Sequence, residues 1–206
     1  MYRRILTIAF ISSLALALTA YSNGSFLSGI VGEQSVGFVF TVSSIMTLIG
    51  LEFLPQLVAR FGNKYVGIGL ITIAAISTAL LAFPISSQMQ LVTFITFTAS
   101  ITLLPFVYDV FLEHSTDQSK VGKVRGTFLM LTNLAWLCSP FFAGMVIEKY
   151  GFPTLFGIAS IVLLMTLILM FVYLKKFEDV VYKRISLIKS IREVLQKKDI
   201  RNSILL

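Results

Sequence analysis

Six hydrophobic stretches, drawn at 5–26, 36–58, 65–85, 90–111, 124–147 and 152–174, sort sixteen of the chain's 17 Lys and Arg residues onto one side of a membrane. The connections and ends on that side carry Arg3 and Arg4, then Arg60 and Lys64, then Lys120, Lys123 and Arg125, and the remaining basic residues from Lys175 to Arg201. The other side receives only Lys149. Basic residues that flank spans stay cytoplasmic, so the asymmetry predicts two cytoplasmic termini and an even number of crossings. A crossing needs about 20 apolar residues to cover a hydrocarbon core of about 30 Å, and every stretch is long enough. The first four contain only two charged side chains, Glu52 and Asp109.

Composition agrees. Hydrophobic residues make up 56% of the chain and charged residues 13%, whereas a soluble domain is roughly half apolar and about a quarter charged. Too few polar residues remain to clothe a water-soluble core. A net charge of +7 would suggest nucleic acid in a soluble protein, but here the basic residues sit where topology puts them, so no nucleic-acid partner is expected. The single Cys138 falls within a stretch, so there is no intrachain disulfide. Met1-Tyr-Arg-Arg before an apolar run imitates a secretory signal, and Ala15-Leu-Ala17 imitates its cleavage site. Five further stretches follow, which favours a retained first helix. The expected class is an all-α, multi-pass protein of the cell (inner) membrane, with membrane lipids as its surroundings.

The connections are short, as in an antiparallel bundle. Pro84 marks the turn at 83–89, and Gly151 followed by Pro153 makes a stop–start pair for helices. Ala59-Arg60-Phe61-Gly62 is echoed by Glu148-Lys149-Tyr150-Gly151, 89 residues later. Three stretches per unit is an odd number, so the second unit would be inverted, as in the inverted repeats of secondary transporters. The predicted fold is therefore six transmembrane helices as two inverted three-helix repeats. Beyond Leu174, Leu187, Ile188, Ile191, Val194 and Leu195 gather on one side of a helical wheel within a charged segment, predicting a cytoplasmic amphipathic helix. The organisation expected is a bundle over 1–174, a connector over 175–200, and the start of a seventh span over 201–206.

Several residues are candidates for function. Glu52 lies about seven residues before the end of the second stretch, some 10 Å deep at about 1.5 Å per residue. A carboxyl at that depth is costly unless neutral, paired or wet, so it either lines a cavity or is a hydrogen-bonded structural group. Asp109 and Glu113 share one helix face by their spacing. Arg60 and Lys64 emerge at the same level, so a charge-assisted bond there would gate the cytoplasmic ends, an ordinary interfacial ion pair being the simpler reading. Gly126, Ala135, Ser139, Pro140, Ala143 and Gly144 make the fifth stretch rich in small residues, suited to close packing or sliding, with Pro140 able to bend it. Tyr21, Asn23, Asn133 and Trp136 are cavity candidates or interhelical hydrogen-bonding and interfacial groups, and Gly24 offers a place to interrupt the first stretch.

No catalytic set is visible. His114 is the only His and lies in a connection, and no metal-ligand cluster, intramembrane Ser–His pair or Gly-rich phosphate loop occurs. Neither a cofactor nor a metal is expected, and the chain does not read as an enzyme.

Arg60-Phe-Gly-Asn-Lys64 resembles the signature loop of the major facilitator superfamily, which runs Gly, three residues, Asp, Arg or Lys, any residue, Gly, Arg or Lys. Arg60 and Gly62 match, Lys64 comes one position late, Pro55 replaces the first Gly and Ala59 replaces the Asp. Asp109 matches the acidic partner of that loop's basic residue. Gly126, Ala135, Ser139-Pro140 and Ala143-Gly144 keep the spacing of a second signature, with small residues for three of its glycines. The resemblance implies the amino-terminal half and connector of a secondary transporter that moves a small solute by alternating access. Its partners would be an unidentified small molecule and either a carboxy-terminal half or a second copy. A self-contained dimeric six-span transporter and a non-transporting scaffold are the alternatives.

Overall fold

The computed structural model describes residues 2–175, 177 and 179, and every regular element among them is helical. Helix α1 is Tyr2–Ala20, α2 Asn23–Val31, α3 Glu33–Phe61, α4 Asn63–Leu81, α5 Ser87–His114 and α6 Val121–Tyr173, with a 3-10 turn at Gln118–Lys120. All but α2 are long and apolar enough to cross a membrane, and the chain is an integral multi-pass membrane protein. The expected connector helix lies outside the described residues.

The helices form where the apolar stretches were drawn, and glycine decides where they turn. Gly32, Gly62 and Gly151 have φ of 75°, 84° and 80° and are the only described residues with positive φ. A side chain would be strained there, whereas glycine is not. At 53 residues, α6 would extend about 80 Å at 1.5 Å per residue, far beyond a hydrocarbon layer. At Gly151, with ψ 176°, the backbone leaves the helical region and divides α6 into two arms. The chain breaks there, and not at Pro140, which lies inside continuous helix. The first stretch is interrupted too, but at Tyr21 and Ser22, ahead of Gly24, which belongs to α2. The tripeptide echo has a shared geometry. Arg60 lies 5.2 Å over the ring of Phe61 and Lys149 5.2 Å over the ring of Tyr150, each just before a positive-φ glycine.

Polar side chains inside the helices satisfy themselves locally. Ser13, Ser43, Thr47, Thr72, Thr78 and Thr166 each donate to the carbonyl four residues back in their own helix. In an apolar layer that internal bond spares a hydroxyl the cost of lacking water. Ser160 is different: its Oγ donates to the Ala75 carbonyl at 3.0 Å and pins the second arm of α6 to α4.

Helix α4 packs on α5 and α6, α1 on α6, and α3 chiefly on α5 and α2. The two ends of the bundle differ. At the Gly151 end, Phe26 meets Phe94, Phe152 and Phe156 with centroids 4.7–6.4 Å apart. At the Gly62 end gather Arg3, Arg4, Arg60, Lys64, Lys120, Lys123 and Arg125, with Arg4 lying 5.5 Å over Tyr173. One helix is left largely uncovered. Only 11% of the most apolar window of α3 is buried, against 50% in α5.

Replacing Gly151 by Ala is expected to destabilise the protein by about 1–3 kcal/mol through its backbone alone, because φ 80° with ψ 176° is a region that essentially only glycine occupies, and the added Cβ would meet only Pro153 Cδ at 3.6 Å. Gly144→Ala, in open helical space, should leave thermal unfolding in detergent unchanged or raise it slightly. Equal melting of the two variants would contradict the assignment of Gly151 as the turn.

Candidate functional site

The Gly62 end is built around the start of α4. A helix's first N–H groups have no carbonyl partner inside the helix, and its N-terminus attracts negative charge. The Asp179 carboxylate supplies both needs: Oδ1 accepts the Asn63 N–H at 3.0 Å and Oδ2 the Lys64 N–H at 3.2 Å. Gly62 makes room for it, because a Cβ there would come within 2.5 Å of Asp179 Oδ2. Position 62 is thus held to glycine twice, by φ and by space.

Asn63 is fully buried and its Nδ2 donates to the Val107 carbonyl of α5 at 3.0 Å. Gly67 sits so close to α5 and α6 that a Cβ would lie 2.9 Å from Val107 Cγ1 and 3.0 Å from Met170 Cε. Phe177 closes the assembly edge-on to Phe111, with centroids 4.9 Å apart. One knot therefore joins the start of α4, the ends of α5 and α6, and the segment after α6. Sequence reading missed Asp179. The available signal was Glu178-Asp179, an acidic pair in an otherwise basic stretch directly after the last span.

The predicted ion pair has a different partner. Asp109 takes a two-pronged bond from Arg125 at the start of α6, with Nε to Oδ1 and Nη2 to Oδ2 both at 2.8 Å. Glu113 lies 3.5 Å from the same Nη2. Arg60 and Lys64, expected opposite Asp109, lie instead over Phe61 and Tyr65, at 5.2 Å and 5.8 Å. Arg125 is in the first turns of α6, five residues after the 3-10 turn ends, and the short connection from α5 folds it back onto Asp109. Each member of the pair is nearly half exposed, so the bond ties α5 to α6 modestly.

In the first arm of α6 the small residues divide into two sets. Ala135, Ser139 and Ala143, at four-residue spacing, are buried to 1% exposure. Gly126 and Gly144 are exposed, with nothing within 4 Å of an added Cβ. Pro140 is half-buried beside Ser139, whose Oγ has no hydrogen-bond partner among the described residues. Tyr21 and Trp136 meet edge-to-face at 5.6 Å, joining the end of α1 to this arm, and Asn133 is exposed one turn before Trp136. Asn23 is buried with its Oδ1 unpartnered among the described residues, and Glu52 is half-buried in α3, away from this group in sequence.

The profile of the Major Facilitator Superfamily matches residues 5–203. No curated protein matches the chain. Among solved structures, the chain is similar to the in meso crystal structure of the POT family transporter PepTSo, with a TM-score of 0.76 and 17% identity. That match covers 96% of this chain and 42% of PepTSo, so the chain spans less than half of that transporter's length. At this identity the likeness concerns the fold alone.

Asp179→Ala should cost about 1–2 kcal/mol, the worth of a lost helix cap. Gly62→Ala should destabilise more than Gly151→Ala, and the excess should shrink on the Asp179→Ala background, read by thermal unfolding. A double-mutant cycle between Asp109→Asn and Arg125→Gln should give a coupling of roughly 0.2–1 kcal/mol that fades with salt. The corresponding cycle between Asp109 and Arg60 should give none, and a larger coupling there would restore the sequence-predicted pair.

Proposed function

The chain belongs to the major facilitator superfamily, and on that premise we propose that it forms the amino-terminal six-crossing bundle of a transporter moving a small solute by alternating access. The six crossings would be α1 with α2 as the first, α3, α4, α5, and the two arms of α6. The shared geometry at Gly62 and Gly151 supports reading them as two inverted triplets. The gathering of Lys and Arg at the Gly62 end supports a cytoplasmic location for that end and for both termini.

The observation that carries the proposal is the uncovered surface. Helix α3 exposes Phe38, Leu48 and Phe53, and the first arm of α6 exposes Met130, Leu137 and Phe141. These two helices would meet a second bundle, and the solute would be handled between the bundles near mid-membrane. Tyr21, Asn133 and Trp136 supply an aromatic and amide lining suited to a small polar or amphipathic solute, with Glu52 and Asn23 as further cavity groups. The small residues of the α6 first arm would let it slide against the second bundle. Rocking opens one end of the cavity while closing the other, and the Gly62 end, with Arg60, Lys64 and the Asp109–Arg125–Glu113 cluster, would be the cytoplasmic gate.

Topology and activity test the reading separately. On a Cys138→Ser background, Ser86→Cys and Asp117→Cys should be labelled by an impermeant maleimide from opposite compartments. Labelling of both from one side would remove the even-crossing arrangement. The purified chain, reconstituted as a monomer in liposomes, should show no uptake above protein-free vesicles, and robust uptake would contradict the need for a second bundle.

A further inference from the structure

Helices α1 and α5 touch at few places, and beside the first arm of α6 they leave a small cavity of about 20 Å³ between them. Ser12 and Ser13 line it from α1, Ile101, Pro105 and Tyr108 from α5, and Phe128 from α6. Tyr108 is 2% exposed, and its hydroxyl has no hydrogen-bond partner among the described residues. The Ser12 hydroxyl faces it without meeting it in hydrogen-bond geometry. Ser12 and Ser13 both donate to the Ala9 carbonyl, at 2.9 Å and 2.7 Å. A hydroxyl has one hydrogen to give, so both serines can only accept further. Pro105 carries no N–H, so the carbonyl of Ile101, one turn earlier in α5, lacks the amide partner that a helix would otherwise give it.

We infer that this cavity is a binding site for one water molecule, which accepts from Tyr108 and donates to Ser12 and to the Ile101 carbonyl. Size and polarity select that occupant. One water needs roughly 10–15 Å³, and a cavity of about 20 Å³ is far too small for a solute or a lipid tail. The groups around it comprise one donor without an acceptor and two oxygens able to accept. That set is the complement of a water that accepts once and donates twice, and buried waters make about three such bonds. A direct Tyr108–Ser12 bond would satisfy the tyrosine and leave the Ile101 carbonyl aside. An apolar filling would leave both without partners in a layer where that is costly. No carboxylate lines the cavity, and its few neutral oxygens fall short of the six or so that a hard cation takes. The water supplies a polar link between α1 and α5 within the apolar layer, where their direct contact is slight.

Thermal unfolding of the purified full chain in detergent tests the sign. With its hydroxyl bonded through water, Tyr108→Phe should lower the melting temperature by about 2–4 °C, the shift expected for one lost hydrogen bond in a chain of this size. An orphaned hydroxyl predicts a rise instead, because its removal relieves a desolvated group. Tyr65→Phe, on an exposed ring, should change nothing. Pro105→Ala returns an N–H to the Ile101 carbonyl, and the loss caused by Tyr108→Phe should then shrink. A loss that is undiminished on that background, and vanishes instead with Ser12→Ala, would assign Tyr108 to a direct bond with Ser12. Should Pro105→Ala fail to fold, a crystal structure of the unaltered chain that resolves ordered water decides the matter. A water oxygen is expected about 2.5–3.0 Å from Tyr108 Oη, Ser12 Oγ and the Ile101 oxygen. A higher melting temperature for Tyr108→Phe, a direct Tyr108–Ser12 bond, or no density at that point overturns the proposal. None of these readouts involves uptake, so the transport reading stands or falls on its own test.

Discussion

Backbone N–H and C=O groups have no water to turn to inside an apolar layer, and the rest of this architecture follows from that. The chain answers by making each crossing a helix that closes its own hydrogen bonds. Hydroxyls within those helices bond back to the preceding turn, as Thr47 does to Ser43 and Thr78 to Ala74. The sharp reversals of direction are confined to the ends of helices. Three of them use glycine at positive φ, at Gly32, Gly62 and Gly151, because the chain must turn within a residue or two there.

The freed groups at those turns still need partners, and the two ends of the bundle find them differently. At the Gly62 end the start of α4 is capped from a segment 115 residues away, by Asp179, while Asn63 reaches into α5. That end is polar, cationic and crosslinked. The opposite end is an aromatic cluster around Phe26, whose cohesion is packing without directional bonds. The bundle is stitched at one end and greased at the other, with α3 and the first arm of α6 left uncovered, and that asymmetry is what the proposed role as one half of a rocking pair builds on. In such a pair, the end that carries specific bonds is also the end where their rearrangement can be coupled to movement.

Much of this was legible in the residues. The spans could be drawn because about 20 apolar residues in a row have few other uses. The echo around Gly62 and Gly151 could be seen because both turns need a residue without a side chain. The polar pairing was less legible. Asp109 and Arg60 emerge at one level, and level is all that a one-dimensional reading supplies; the azimuth of each helix directs Asp109 toward Arg125 and Arg60 toward Phe61. The stop–start reading at Gly151 and Pro153 marked where the two arms of α6 part. Pro140 forfeits one donor, a loss that a helix absorbs, whereas Gly151 changes the direction of the chain. The likeness of the signature loop located Gly62 correctly and marked Ala59 as a missing acid, without indicating that another carboxylate, from beyond α6, attends the same loop.

The sequence by itself determined that the chain crosses a membrane repeatedly, and it marked Gly62 and Gly151 as helix ends, though not Gly32. Those are properties of local composition and backbone sterics, read within windows of about 20 residues. Only the tertiary structure decided that Asp179 caps α4, that Arg125 takes Asp109, and that Tyr108 and Ser12 line one small cavity. Each of these depends on how helices are rotated and leaned against one another. That is set by the summed packing of many small contacts and by the length of the connections, and no single stretch of residues encodes it.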